Sequence, residues 1–260
     1  MEEIKNKNEK PLAESLLEKD FFHVLNNELW AQILVSVIVI LFTLVPVYLF
    51  LSKRKSRRDV LFLGLCDAGK TVLFSRLLYD KFVQTHTSVK ENLGEYIKPS
   101  GGSFRIVDIP GHERLRTKYL DQFKSTTRGI VFVIDSGTIQ KDVRDVAEYL
   151  YTILTDNVML SSCPNILILC NKQDSITAKG SKVITQILQK ELNTLRITKS
   201  SQLESTDSSQ NTTQVLGKDG KEFEFSALPY KVTFAECTAT CKDEDKPYDI
   251  EPLYNWLQKL

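Results

Sequence analysis

The alternation of apolar and polar positions divides the chain before any motif is considered. Residues 1–28 are mostly polar, and the run from Leu29 to Leu51, LWAQILVSVIVILFTLVPVYLFL, carries no charge and only three clearly polar side chains, Gln32, Ser36 and Thr43. Its 23 residues at about 1.5 Å each predict a helix of roughly 35 Å, enough to cross a hydrocarbon core with some tilt. Pro46 lies near an end, where spanning helices tolerate proline, and Trp30 and Tyr48 stand where interfacial aromatics are expected. A buried core helix of this length would carry a polar stripe, and none is visible.

Charge gives the segment a direction. The 28 residues before it hold seven acids, Glu2, Glu3, Glu9, Glu14, Glu18, Asp20 and Glu28, against four lysines; Lys53-Arg54-Lys55-Ser56-Arg57-Arg58 follows directly, five positive charges in six residues. A cleaved signal peptide needs a basic start, a shorter apolar core and a small-residue cleavage site. The positive-inside rule instead predicts a signal anchor, with 1–28 as a short lumenal arm, 29–51 as the transmembrane helix and 52–58 as a basic juxtamembrane segment in contact with anionic lipid. Residues 59–260 are then a cytosolic domain.

Inside that domain the pattern changes to short apolar runs alternating with amphipathic ones. Asp59–Leu65, Phe104–Ile109, Gly129–Ile134, Asn165–Cys170 and Val232–Ala235 read as strands. The third and fourth are continuously apolar, as in strands buried on both faces of a parallel sheet. Thr71–Tyr79, Val143–Leu154, Val183–Leu195 and Ile250–Leu260 have helical spacing. Strands alternating with helices predict a doubly wound, mostly parallel α/β domain. Thr198–Lys221, rich in Ser, Thr, Gln and Asn, reads as a flexible insertion. Its Asn211-Thr212-Thr213 is a glycosylation sequon only in form, because the expected topology leaves it in the cytosol. There are no internal repeats.

Composition adds exclusions. With 34 basic and 33 acidic side chains the net charge is +1, so direct nucleic-acid binding is not expected. The five cysteines, Cys66, Cys163, Cys170, Cys237 and Cys241, are odd in number and too sparse for a disulfide framework. No histidine or second cysteine pair accompanies Cys237 and Cys241 as a zinc site would require. All five read as reduced thiols.

The chemistry is carried by three motifs at the ends of predicted strands. Gly64-Leu65-Cys66-Asp67-Ala68-Gly69-Lys70-Thr71 matches G-x-x-x-x-G-K-[ST] between a strand and a helix. Glycines let such a loop turn its N–H groups onto phosphate oxygens at the positive end of the helix. Lys70 would reach the β- and γ-phosphates and the Thr71 hydroxyl would ligate Mg²⁺. Asp108-Ile109-Pro110-Gly111 closes a strand in a D-x-x-G pattern. Asn171-Lys172-Gln173-Asp174 follows another as N-K-x-D. A carboxylate at Asp174 can accept from the ring N–H and exocyclic amine of guanine, whereas adenine would leave it unpaired, a difference able to give discrimination of about 10⁴. Asn171 and Asp174 therefore argue against an ATPase.

The order of these motifs resembles the small GTPases related to Arf and Sar. Over nearly the whole chain, including the single span, G-L-x-D-A-G-K-T, D-I-P-G-H, N-K-Q-D, Lys190–Arg196 and Trp256-Leu257, it resembles the β-subunit family of the signal recognition particle receptor. The resemblance implies a Ras-like P-loop fold with GTP or GDP and Mg²⁺ as cofactors. It also implies an endoplasmic reticulum location, a heterodimer with the receptor's α subunit held in a GTP-dependent way for co-translational targeting, and a contact with the ribosome or translocon. By that resemblance Asp108 holds Mg²⁺ through water and the Gly111 N–H senses the γ-phosphate. Thr87, with Thr85 the alternative, is the magnesium threonine of the first switch. Glu236-Cys237-Thr238-Ala239 matches the family's short loop against the guanine oxygen, with Thr238 and Ala239 at the contact.

The same resemblance locates a departure. His112 stands where relatives carry the glutamine that orients attacking water, and Cys66 stands where many have glycine. Both predict slow intrinsic hydrolysis and a long-lived GTP state. A structural anchor whose nucleotide only stabilises the fold is the alternative.

Overall fold

The computed structural model describes residues 30, 32–45, 57–204, 216–217, 221–240 and 248–260. The chain divides into two units, Met1–Lys55 and Ser56–Leu260. In the first, residues 32–45 form helix α1, an apolar helix with its side chains exposed. Of the span expected over 29–51, Leu29, Ala31 and residues 46–51 lie outside the described residues, as does the arm 1–28. Among the described residues no helix is long and apolar enough to cross a membrane.

The second unit is built on a six-stranded sheet in the order β2-β3-β1-β4-β5-β6. Its strands are β1 (Asp59–Leu63), β2 (Asn92–Ile97), β3 (Ser103–Asp108), β4 (Thr127–Asp135), β5 (Asn165–Asn171) and β6 (Val232–Glu236). All pair in parallel except β2, which runs antiparallel to β3. β1 is buried at every position, and β4 and β5 nearly so. Their unbroken apolar runs follow from having helices on both faces.

One face is covered by α2 (Lys70–Tyr79) and α7 (Glu251–Lys259), which bury Leu73, Phe74, Leu253 and Leu257. The other is covered by α3 (Glu113–Phe123), α4 (Ile139–Leu154) and α6 (Ser181–Glu204), which bury Leu120, Phe123, Leu150, Ile184 and Leu188. The short α5 (Asn157–Ser162) precedes β5. Its first turn is capped by Asp156, whose carboxylate accepts from the N–H groups of Val158 and Met159.

The strands β2 and the helices α3 and α5 are absent from the sequence pattern. β2 has one buried residue in six, Tyr96, so alternation gives no signal there. It is held by its ladder with β3 and by Gly94, where a Cβ would stand 2.2 Å from Leu78 Cδ1. The expected insertion also begins later than its composition suggests, because Thr198–Glu204 continues α6. Its far end is fastened too. Leu216 is buried, and Arg196 of α6 donates to the carbonyls of Leu216 and Lys221. Residues 205–215 and 218–220 lie outside the described residues.

Candidate functional site

Parallel pairing brings the carboxyl ends of β1, β3, β4, β5 and β6 to one edge of the sheet, which is where open α/β sheets bind ligands. The loop Gly64–Thr71 leaves β1 there under tight constraints. Gly64 has φ +137°, and a Cβ on it would lie 2.2 Å from the Val133 carbonyl oxygen. Gly69, φ +93°, opens α2, and its Cβ would lie 2.3 Å from Asn171 Nδ2. Only glycine meets both demands, the left-handed backbone and the missing side chain.

Lys70 is buried and its ammonium donates to the Leu65 carbonyl at 2.6 Å, folding the side chain back along the loop. Burial pushes its pKa below the ordinary lysine value, opposed by the nearby Asp108 carboxylate. A cation held at such a cost in a loop of inward N–H groups suits an anion.

Asp108, at the end of β3, is 1 % exposed. Its Oδ2 accepts from Thr71 Oγ1 at 2.8 Å and from Asn92 Nδ2 at 2.9 Å, while Oδ1 is buried with no partner. Burial raises its pKa, and the bonds from Asn92 and Thr71 only partly offset that. A buried carboxylate oxygen left open beside a threonine hydroxyl fits a hydrated divalent cation. Thr71 and Asp108 thus lie together as the sequence predicts. Ser88 Oγ, 3.3 Å from Thr71 Oγ1, and Asn92 join them; Ser88 adjoins the Thr85–Thr87 stretch, whereas Asn92 was not legible, because its signal depended on recognising β2. Thr85, His86, Thr87 and Ser88 line the same cleft as Cys66, Lys70 and Gly111. Gly111 presses on the phosphate loop itself: a Cβ would stand 2.5 Å from Cys66 N and 2.6 Å from Leu65 C. His112, exposed at the position before α3, does not line this cleft.

The second half of the site is knitted by Asn171, 1 % exposed at the end of β5. Its Nδ2 donates to the Ala68 carbonyl at 2.9 Å and its Oδ1 accepts from Ala239 N at 3.1 Å and from Cys237 Sγ at 3.4 Å. One side chain therefore ties the phosphate loop, the N-K-x-D turn and the loop after β6. Lys172 has a left-handed backbone, φ +62°, and its ammonium pairs with Asp135 Oδ2 at 2.7 Å. Gln173 Nε2 donates to Ser136 Oγ and the Lys179 carbonyl. Asp174 follows in the same turn, half-buried, with both carboxylate oxygens shut off from solvent.

Thr238 pairs through its backbone with Asp249, at 2.8 and 2.9 Å, so the structure gives its N–H to that bridge. Glu236 Oε1 accepts from Ser181 N at 2.6 Å, fastening the start of α6 to the end of β6 and lowering the Glu236 pKa. Cys66 and Cys163 are exposed and free, Cys170 and Cys237 buried and free; burial pushes the Cys170 thiol up to about 12. Cys241 lies outside the described residues.

Comparison with known proteins points the same way. The family described as "Signal recognition particle receptor beta subunit" matches residues 55–232. The human signal recognition particle receptor subunit beta is 48% identical over 232 residues, 88% of this chain and 86% of that protein. The solved structure of the mammalian SRP receptor superposes with a TM-score of 0.68 at 48% identity, covering 78% of this chain and 99% of that one. The SRb-GTP/SRX complex from Chaetomium thermophilum shares the fold, with a TM-score of 0.61 at 21% identity over 77% of this chain and 99% of its counterpart.

Proposed function

The chain belongs to the signal recognition particle receptor beta subunit family, and from that membership we propose a membrane-anchored regulatory GTPase whose GTP-bound form holds the receptor's α subunit at the endoplasmic reticulum. The observation that carries this reading is the Asn171 side chain, bonded at once to the phosphate loop through the Ala68 carbonyl and to the loop after β6 through Ala239 N. That joint makes a phosphate cradle and a base-recognition turn into one pocket.

In this reading Gly64–Lys70 wrap the phosphates and Lys70 exchanges its bond to the Leu65 carbonyl for phosphate oxygens. Thr71 and Thr87 supply hydroxyls to Mg²⁺ and the open Oδ1 of Asp108 takes one of its waters. The ion's part is to neutralise charge on the β- and γ-oxygens. Asp174 accepts from the guanine N–H and amine, and the Thr238-Ala239 loop, held in place by Asn171 and Asp249, lies against the base carbonyl. Gly111, already against the phosphate loop, is placed to sense a γ-phosphate and pass its presence to α3. The exposed His112 must swing inward to hold a water, so hydrolysis is slow and the GTP state persists. Leu29–Leu51 spans the bilayer with the arm 1–28 lumenal, so nucleotide state controls partner binding rather than membrane attachment.

Calorimetry on the purified full chain with Mg²⁺ tests the pocket. GTP and GDP bind, ATP binds at least about 10⁴-fold more weakly, and Asp174→Asn loses the preference. Equal affinity for guanine and adenine nucleotides overturns the reading. Equal affinity of GTP- and GDP-loaded chains for the α subunit removes the switch and leaves a structural anchor.

A further inference from the structure

The end of the sheet opposite the phosphate loop is as distinctive in charge as the nucleotide end is in geometry. Strand register places the starts of β1, β4, β5 and β6 side by side: Asp59 faces Thr127, Gly129 faces Asn165, and Ile166 donates to the Lys231 carbonyl. Arg57, Arg58, Arg128, Lys231 and Lys259 are all exposed there. Several are held in place. Arg57 donates to the Ser162 carbonyl at 2.8 Å, and Arg128 donates to the Leu260 oxygen at 2.6 and 3.2 Å. Lys98 and Arg128 both lie over the Phe104 ring, at 4.9 and 5.1 Å from its centroid.

Three of the acids on this face are taken by other cations. Asp59 is buried in a two-bond pair with Arg105, at 2.8 and 2.6 Å, and Asp121 and Asp156 both pair with Lys124. Glu95, on the edge strand, lines a cavity of about 500 Å³ together with Arg58, Asp59 and Arg105. Lys231 and Lys259 have no acidic partner among the described residues. They border a cavity of about 310 Å³ whose wall includes Trp256, Leu260 and Asn165. Two cations sharing a cavity with a partly buried indole is a composition found at the headgroup level of membranes.

We propose that this basal face is a second, electrostatic membrane contact, binding the anionic phospholipid surface beside the anchor. The inference rests on the anchor reading above. Only residues 52–56 separate Leu51 from Arg57, a tether of at most about 20 Å, and the basic run 53–58 leads directly into the face. Negative lipid surface attracts such residues, about fivefold in affinity for each Lys or Arg near it. Apposition would fix which way the nucleotide edge points: away from the bilayer, toward cytosolic partners.

The chain has two tryptophans, and Trp30→Phe leaves Trp256 as the sole reporter. The full-length variant is inserted into nanodiscs containing a headgroup-spin-labelled phosphatidylcholine, with or without phosphatidylserine. Trp256 emission is quenched more strongly in the discs with phosphatidylserine, and the excess disappears at high salt. Lys231→Gln with Lys259→Gln lowers the equilibrium constant for apposition about 25-fold, while GTP binding stays unchanged as a check of folding. Equal quenching in neutral and anionic discs, or no effect of the double substitution, overturns the inference with the anchor intact. A chain that elutes apart from the discs overturns the anchor and this inference together.

Discussion

A buried carboxylate with one oxygen satisfied twice and the other left open costs the empty fold free energy, and Asp108 is in that position. Its raised pKa states the same cost in protons: the penalty is absent below the unfolded value, about 4, and complete above the folded one. Asp108→Asn keeps an acceptor for Thr71 and Asn92 and removes the charge. In nucleotide-free chain its melting temperature rises by about 2–4 °C per kcal/mol relieved, and the gain vanishes as the pH falls and the native aspartate protonates. The same variant loses the magnesium-dependent part of GTP affinity, read by calorimetry with and without chelator. Gly111→Ala tests the neighbouring contact. Its Cβ would meet only backbone atoms of Leu65 and Cys66, which cannot rotate away, so the phosphate loop shifts. A hydrogen bond lost to a charged phosphate costs about 1.5–3 kcal/mol, so GTP affinity falls by roughly 10- to 150-fold while the circular dichroism spectrum is retained.

At the level of elements, the loops after β1, β5 and β6 behave as one unit because Asn171, at the end of β5, bonds to the other two. Asn171→Ala leaves the Ala68 carbonyl and Ala239 N–H buried and unmet, and costs about 2–4 kcal/mol, read as a lower urea midpoint with unchanged slope. GTP binding is lost even though Asp174 is intact. Asp156, which caps α5 and pairs with Lys124, shows the opposite sign to Asp108. Burial raises its pKa, but the Lys124 and amide bonds outweigh that and hold it low. Its contribution is present above pH about 4 and fades as pH falls through the lower folded value. Asp156→Ala costs about 1–2 kcal/mol at neutral pH. These two residues also mark what the sequence could reveal. β1, β4 and β5 are legible because both their faces are buried, and the phosphate loop because its glycines are forced. β2 buries one residue in six, α3 only Tyr119, Leu120 and Phe123, and α5 is six residues long around a cap. Such elements owe their existence to partners elsewhere in the chain, so Asn92 stayed hidden with them.

For the molecule as a whole, the proposed orientation rests on a charge difference rather than on any contact: seven acids precede the apolar run and five basic residues follow it. The bias acts during insertion and is counted within roughly 15–20 residues of the span. The sequon at Asn211 converts that orientation into a mass. Chain synthesised in the presence of endoplasmic reticulum membranes gains no glycan, because the proposed topology keeps Asn211 cytosolic. Replacing Lys53, Arg54 and Lys55 by Glu and Glu14, Glu18 and Glu28 by Lys inverts the bias while leaving Arg57 and Arg58, which touch the folded domain, in place. A fraction of this variant gains an endoglycosidase-sensitive mass, and in that fraction the domain resists added protease. A glycan on the unaltered chain would reverse the assigned topology, since the same charges would then have delivered the nucleotide pocket to the lumen, away from its proposed partner.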